Sequence, residues 1–447
     1  MVTQALLEED RSLWSRLLSV KRDERASVAL AVLAFFCLLF AIFLLRPLRD
    51  EMGLRGGARN LKWLWSVTLA GTVVASIAFA ACASGFPRRT FMAATYRGVA
   101  LVWLVFLPLV SFTDGALGIF VSRAFYVTHA VSNVFLVSLF WALAADVLDA
   151  AQSKRLFGLI AVGGTLGAIA GTKLTGWIAG LGAKGGAGSS EASAAHDLAL
   201  WMIVPAAVLM EVAVQLGAAL ARRSERASAQ SSELSRALGG DALEGLALVV
   251  RRPYLQGIAL FTFAYGFVQT FFTLQQNHIV EAVISGKAER IEYFASAENS
   301  AQVLTLVVQV FVTGRLMRAL GVGGALLVLP IVGVAGFSAL GSLHSIGIDA
   351  LTAVTLCIVA WRGLSHATMR PAREALYVPT ERSEKFKAKS FSDTFAFRGG
   401  DLASAFGFDA LPLAAATLVG IPLAVGWGAL GLWLARRQRA LVAERER

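Results

Sequence analysis

The 447-residue chain is poor in charge, cysteine and histidine. Only 16% of its residues are Asp, Glu, Lys or Arg, against roughly 25% in a soluble domain. With 56% hydrophobic residues and a mean hydropathy of +0.64, that shortage excludes a disordered chain and an ordinary soluble enzyme. Cys37, Cys82 and Cys357 each lie inside an apolar run, which excludes a disulfide framework and a zinc-ligand spacing. Five scattered histidines form neither a metal constellation nor a Ser-His-Asp arrangement. No catalytic residue, metal or cofactor is therefore expected. The charge that is present is lopsided, 41 Lys and Arg against 30 Asp and Glu, leaving +11. In a soluble protein this would suggest nucleic acid. Here it asks instead where each cation lies relative to a membrane, and no nucleic-acid partner is expected.

What is abundant is long apolar sequence. A transmembrane helix needs about 20 largely apolar residues, and such runs fall at 26–45, 61–83, 91–112, 116–147, 156–182 and 198–221. Six more follow at 254–276, 299–320, 322–343, 346–368, 392–416 and 418–435. They predict an all-α polytopic membrane protein of about twelve transmembrane helices in two six-helix bundles, with the lipid bilayer as partner. The first run follows a charged stretch and ends in charge without a small-residue cleavage pattern, so it does not read as a removable signal.

The expected organisation is a cytoplasmic amphipathic segment at 1–25, one bundle at 26–221, a basic cytoplasmic linker at 222–253, a second bundle at 254–435 and a basic tail at 436–447. Basic turns recur at equivalent places in the two halves, before the fifth and eleventh runs and after the second and eighth. Two six-helix halves around a midplane site are the major facilitator architecture. Lys and Arg accumulate on alternate loops that include both termini, which predicts an N-in, C-in protein of a bacterial inner membrane. Residues 281–298 fit either an interfacial helix or a loop.

One cluster opposes that charge rule. Arg46-Pro47-Leu48-Arg49-Asp50-Glu51 follows the first run on the side where cations should be scarce. A solvated loop would explain it by outward snorkelling; alternatively, Arg46 and Arg49 face an aqueous cavity. Ionisable groups inside spans mark pathways or ion pairs. They occur here as Arg123, His129, Lys173, Glu211, Arg362, His366, Arg398 and Asp401, with polar company at Gln275, Gln276, Asn277, Glu298, Asn299 and Gln302. Glycines of the fifth run, several of them four apart (Gly163, Gly167, Gly171; Gly176, Gly180), suit close helix packing rather than a phosphate loop. The cationic bias suits an anionic solute bearing phosphates.

Three stretches resemble the nucleotide transporter family, the ATP/ADP translocases of intracellular bacteria and plastids, distant relatives of the major facilitator fold. Leu44-Leu45-Arg46-Pro47-Leu48-Arg49-Asp50 is similar to the family's Leu-Arg-x-x-Lys-Asp after its first helix. Phe140-Trp141-Ala142-Leu143-Ala144-Ala145-Asp146, followed by Lys154-Arg155-Leu156-Phe157, is similar to Phe-Trp-x-x-Ala-Asn and Ala-Lys-Arg-Phe-Tyr. Tyr377-Val378-Pro379, Lys385-Phe386-Lys387-Ala388-Lys389 through Asp393, and Arg398-Gly399-Gly400 resemble a third set. The chain departs from the pattern in three places: Arg49 stands for a lysine, the fourth run has no glutamate near His129, and Gly400-Asp401 replaces Lys-Ser.

The resemblance implies a non-enzymatic secondary transporter or exchanger of nucleotides, ATP or ADP among them, or of a related phosphorylated anion. Together with the charge bias, it makes Arg46, Arg49, Asp50, Arg123, Lys173, Arg362, Lys387 and Arg398 the candidate substrate-binding residues. Lys154, Arg155, Asp146, Lys385, Lys389, Asp393 and Asp401 are candidates for gating or coupling. The alternatives are a generic transporter coupled to protons through Asp50 or Asp401, and a non-transporting membrane scaffold.

Overall fold

The computed structural model describes residues 24–83, 88–148, 150–183, 197–227, 248–342, 349–380, 388–389, 391–409 and 413–445. Among them are twelve α-helices of thirteen residues or more. They are α1 (Arg25–Leu54), α2 (Leu61–Ala83), α3 (Arg88–Ser111), α4 (Gly115–Val147), α5 (Ala150–Ala183) and α6 (Ile203–Ala227), then α7 (Pro253–Val283), α8 (Lys287–Phe311), α9 (Thr313–Gly341), α10 (Ala350–Leu364), α11 (Phe397–Asp409) and α12 (Leu413–Arg445). A π-helical turn, Ser365–Met369, carries α10 on into Arg370–Leu376, and another, Ser392–Ala396, leads into α11. Nine of the described helices are long and apolar enough to cross a membrane. The chain is an integral membrane protein, and its fold is two six-helix bundles.

Each bundle has its own apolar core. One gathers Phe35, Leu38, Trp103, Phe125, Phe140 and Met210 from the first six helices, the other Phe261, Phe272, Phe337, Trp361 and Trp427 from the last six. Glycine decides the tightest approach. A Cβ on Gly167 would stand 2.2 Å from the Phe36 carbonyl oxygen, and one on Gly171 2.7 Å from that of Phe40, so α5 lies directly against the α1 backbone. The opposite face of α5 turns to the other bundle, where Gly176 meets Ala295 and Gly180 meets Glu292 of α8.

Several more contacts join the bundles at that same end, where α1, α5, α7 and α11 finish. Trp63 meets Phe406 edge to face at 5.7 Å, and Lys62 lies 6.0 Å from the Phe406 ring. The Ala58 N–H donates to Glu281 Oε2 at 2.9 Å. Gly56 and Gly57 take φ of 82° and 99° before that donor, a conformation that costs glycine little.

Three expectations are corrected. Residues 46–51 are not loop: α1 continues through Pro47 to Leu54, and charged residues there are held by partners within the protein. Residues 281–298 are not one element: α7 runs on to Val283, a short non-helical link covers 284–286, and α8 begins at Lys287. The run expected at 299–320 is therefore split by Val312, where α8 gives way to α9. Its start was obscured by Lys287, Glu289, Arg290 and Glu292, which interrupt hydropathy without interrupting the helix. Finally, 392–416 is not one span, because α11 ends at Asp409 and α12 starts at Leu413.

Candidate functional site

Helix periodicity puts Glu298 and Gln302 on one face of α8, since residues four apart stack one turn above another. Glu298 is buried at 3% exposure. Its Oε2 accepts from Arg362 Nη1 of α10 at 2.8 Å, its Oε1 lies 3.4 Å from Arg46 Nη1 of α1, and Gln302 Nε2 donates to Oε1 at 2.8 Å. One carboxylate thus binds two cations from two helices, and Arg46 brings them across from the other bundle. Arg362 also donates to Gln276 Oε1 of α7 at 3.2 Å. Gln276 Nε2 lies 3.4 Å from the Tyr293 hydroxyl, which meets Thr355 Oγ1 at 2.9 Å.

Two further arginines flank this centre. Arg49 Nε donates to Asp50 Oδ1 at 2.9 Å and its guanidinium covers the Tyr126 ring at 5.1 Å. The Tyr126 hydroxyl accepts from Trp65 Nε1 at 2.8 Å. Arg398 pairs with Asp401 at 3.2 Å, and Asp401 also accepts from Thr270 Oγ1 at 2.7 Å. Arg49 and Arg362 each lie within electrostatic range of Arg46, as Arg398 does of Tyr126. The Arg46 Nε is buried with no hydrogen-bond partner. Buried donors are rarely left unmatched, so this one is a position where an acceptor would be favoured.

The two π-helical turns lie beside these cations. Arg362 precedes Ser365–Met369 by one turn of helix, and Arg398 follows Ser392–Ala396 by two residues. Such turns rotate a helix face by an extra residue and often occur at functional sites.

The other candidates are distributed elsewhere. Arg123 is drawn away from the cluster, donating to the carbonyls of Arg55 and Gly56 at 3.2 Å each and holding the turn after α1. Lys173 stands exposed on α5. Asp146 is exposed at the end of α4. Lys389 pairs with Glu374 at 2.5 Å and Asp393 with Arg373 at 2.8 Å, two links between the ends of α10 and α11. Lys385 and Lys387 lie outside the described residues, as do the side chains of Lys154 and Arg155 at the start of α5. The sequence reading noted Glu298 and Gln276 only as polar company and missed Tyr126 and Tyr293. The available signal was the grouping Glu298, Asn299, Gln302 just ahead of the apolar second half of α8.

Comparison with known proteins agrees with this architecture. The family model described as TLC ATP/ADP transporter matches residues 115–430. No curated protein matches the chain in sequence. Among solved structures, a bacterial homologue of the iron transporter ferroportin in its inward-facing state superimposes with a TM-score of 0.63 at 11% identity, over 93% of this chain and 98% of that one. The xylose transporter XylE from E. coli in an inward open conformation gives 0.57 at 13%, over 93% and 95%. The nucleoside transporter NupG gives 0.55 at 12%, over 94% and 97%. At such identities the likeness is one of fold. With the family model covering well over half of the sequence, the chain belongs to the TLC ATP/ADP transporter family: it is a membrane transporter of major facilitator fold, not an enzyme.

Proposed function

We propose that the chain is a secondary active transporter that exchanges nucleotides or a related phosphorylated anion, by alternating access between its two bundles in a bacterial inner membrane with both termini cytoplasmic. The observation that carries this reading is the meeting of Arg46 and Arg362 on Glu298 at the seam between the bundles, with Arg49 beside Arg46 and Arg398 near Tyr126. Guanidinium groups match phosphate oxygens in planar, paired geometry better than any other side chain. Four arginines face three carboxylates, Glu298, Asp50 and Asp401, so one positive charge is left over without cargo.

Phosphate oxygens would take over donors now directed at those carboxylates, and would meet the unmatched Nε of Arg46. Because Arg46 and Glu298 belong to different bundles, replacing their bond with a cargo contact loosens one bundle from the other. That gives binding a means of favouring one arrangement over another, which any ligand-driven change requires. Lys154, Arg155, Lys385 and Lys389 would draw anions in from the cytoplasm, with Asp146, Asp393 and Asp401 in gating or coupling. Arg123 and Lys173, away from this centre, are assigned no contact with cargo.

Uptake of labelled ATP into proteoliposomes, with and without internal ADP, tests the reading. Saturable uptake that needs the internal nucleotide is expected. Proton-driven uptake of an uncharged solute with no nucleotide flux would overturn it.

A further inference from the structure

Two basic side chains beyond α10 have no place in the central network. His366 lies in the π-helical turn Ser365–Met369, and Arg370 follows that turn. Arg370 is eight residues beyond Arg362. In an unbroken α-helix, eight steps of ~100° would leave it ~80° round from Arg362. The π-helical turn takes up one extra residue, ~100°, so Arg370 returns to within ~20° of the face that carries Arg362. That face is the seam, because Arg362 meets Glu298, which Arg46 joins from the other bundle. Helix α7 repeats the alignment. Gln276 accepts from Arg362, Tyr265 lies within electrostatic range of Arg370, and the two are eleven residues apart, three turns of one face.

Helix α10 starts at the end where the bundles are joined: its Thr355 meets Tyr293, near the start of α8, at 2.9 Å. At a rise of about 1.5 Å per residue, Arg370 stands ~12 Å from Arg362 along the seam, away from those contacts. It is exposed there. The carboxylates within its electrostatic range are already engaged, Glu374 by Lys389 and Asp393 by Arg373. Arg97 of α3 shows the contrary case, with its Nε and Nη2 given to the two carboxylate oxygens of Glu211 on α6 at 2.8 and 2.7 Å. Arg370 has no ion pair among the described residues, which leaves its five N–H groups open to a ligand. Half-buried His366 bridges the interval, within electrostatic range of Arg370 on one side and of Arg362, Arg46 and Glu298 on the other.

We propose that Arg370 and His366 form a second phosphate-binding site, between the central arginines and the end of the seam opposite the joined one, and that cargo occupies it on its way in or out. This rests on the reading of the chain as an exchanger of phosphorylated anions. A phosphate there accepts two Arg370 N–H groups in the paired geometry that guanidinium favours, and a third bond from the His366 imidazole. Arg362 is anchored by Glu298 and Gln276, so the two guanidinium groups hold separate anions.

The test counts pyrophosphate bound to the purified full-length chain by isothermal titration. Two per native chain are expected. Arg370→Gln should weaken one of them about tenfold or more and keep the other, whereas Arg370→Lys, which keeps the charge, should retain both. Arg362→Gln should show the converse and lose only the central one. Because the Arg370 side chain is exposed and unpaired, Arg370→Gln should melt at the native temperature, which separates lost binding from misfolding. A native chain that binds no pyrophosphate overturns the proposal, as does an Arg370→Gln chain that matches it in number and affinity. Loss of all binding in Arg362→Gln also overturns it, since the two positions would then be one site. ATP exchange by the same preparation separates the two readings. Two bound pyrophosphates without exchange count against nucleotide transport alone; exchange with pyrophosphate binding unchanged in Arg370→Gln counts against the second site alone.

Discussion

Glu298 and Glu211 both meet arginine within spanning helices, and their surroundings differ in kind. Glu298 is almost wholly buried and is shared by Arg46 and Arg362, which come from different helices. Glu211 is nearly half exposed and takes both its ionic bonds from one arginine. The outer pair is closed on itself, so removing the carboxylate frees one cation on an exposed face. The inner carboxylate holds two cations and two bundles at once. An intramembrane charge thus tells little by itself; what matters is how many elements depend on it.

The largest expected effect follows from Glu298. Glu298→Gln leaves Arg46 and Arg362 facing each other without a counter-charge, and breaking a buried ion pair from one side costs about 3–5 kcal/mol. Uptake should fall at least ~100-fold and the thermal midpoint of the purified protein should drop. Arg46→Gln in the same chain removes part of the excess charge, so the double variant should regain stability over Glu298→Gln alone. Simple additivity of the two stability losses would contradict shared dependence on that carboxylate. Arg362→Gln should also abolish most uptake, because it contacts both Glu298 and Gln276.

How much of this was legible in the sequence depends on whether a feature is local. Each apolar run overlaps at least one of the twelve helices, since hydropathy is read within a single segment. The start of α8 was lost because its first two turns carry Lys287, Glu289, Arg290 and Glu292, which an apolar window rejects. The candidate cations Arg46, Arg49, Arg362 and Arg398 do gather, yet the residue that joins two of them, Glu298, was seen only as one polar residue among several. Its partners are 252 residues back and 64 residues ahead, and no pattern in one sequence connects such distances. Arg123 looked equivalent to those cations, but its reach to the Arg55 and Gly56 carbonyls depends on a turn set by two glycines with positive φ. Arg97 went unremarked, so Glu211 had no visible counterpart.

Glu281 offers an intermediate case, since it joins the bundles with a single bond to a backbone N–H. Glu281→Ala leaves the Ala58 N–H without that acceptor, a loss of about 1 kcal/mol, or roughly a fivefold shift toward separation at this end. Distances between spin labels on the turn after α1 and at the end of α7 should report a larger separated fraction. An unchanged distribution would mean that the other contacts at this end, Gly176 and Gly180 against α8 and Trp63 against Phe406, hold it without that bond. Farther from the seam, Glu211→Gln should leave nucleotide uptake within about twofold of the native rate, as exposed pairs contribute little. A loss approaching that of Glu298→Gln would erase the distinction between inner and outer pairs.

The smallest effect belongs to Asp349, which sits outside the spans and only caps α10. Its Oδ1 accepts the Thr352 N–H at 2.9 Å. Hydrogen bonds from Thr352 hold its carboxyl below the ordinary carboxylate range. A depressed value in the folded state means the cap contributes fully above the unfolded pKa of about 3.9 and is lost as pH falls through the folded value beneath it. At neutral pH, Asp349→Ala should speed amide exchange at Thr352 while uptake stays at its native rate. Acidifying the native protein below about pH 4 should bring its Thr352 exchange toward that of the variant, after allowing for intrinsic rates. Equal exchange at neutral pH would show that α10 needs no cap, and that its Arg362 is positioned by the packing of Trp361 and by its bonds to Glu298 and Gln276.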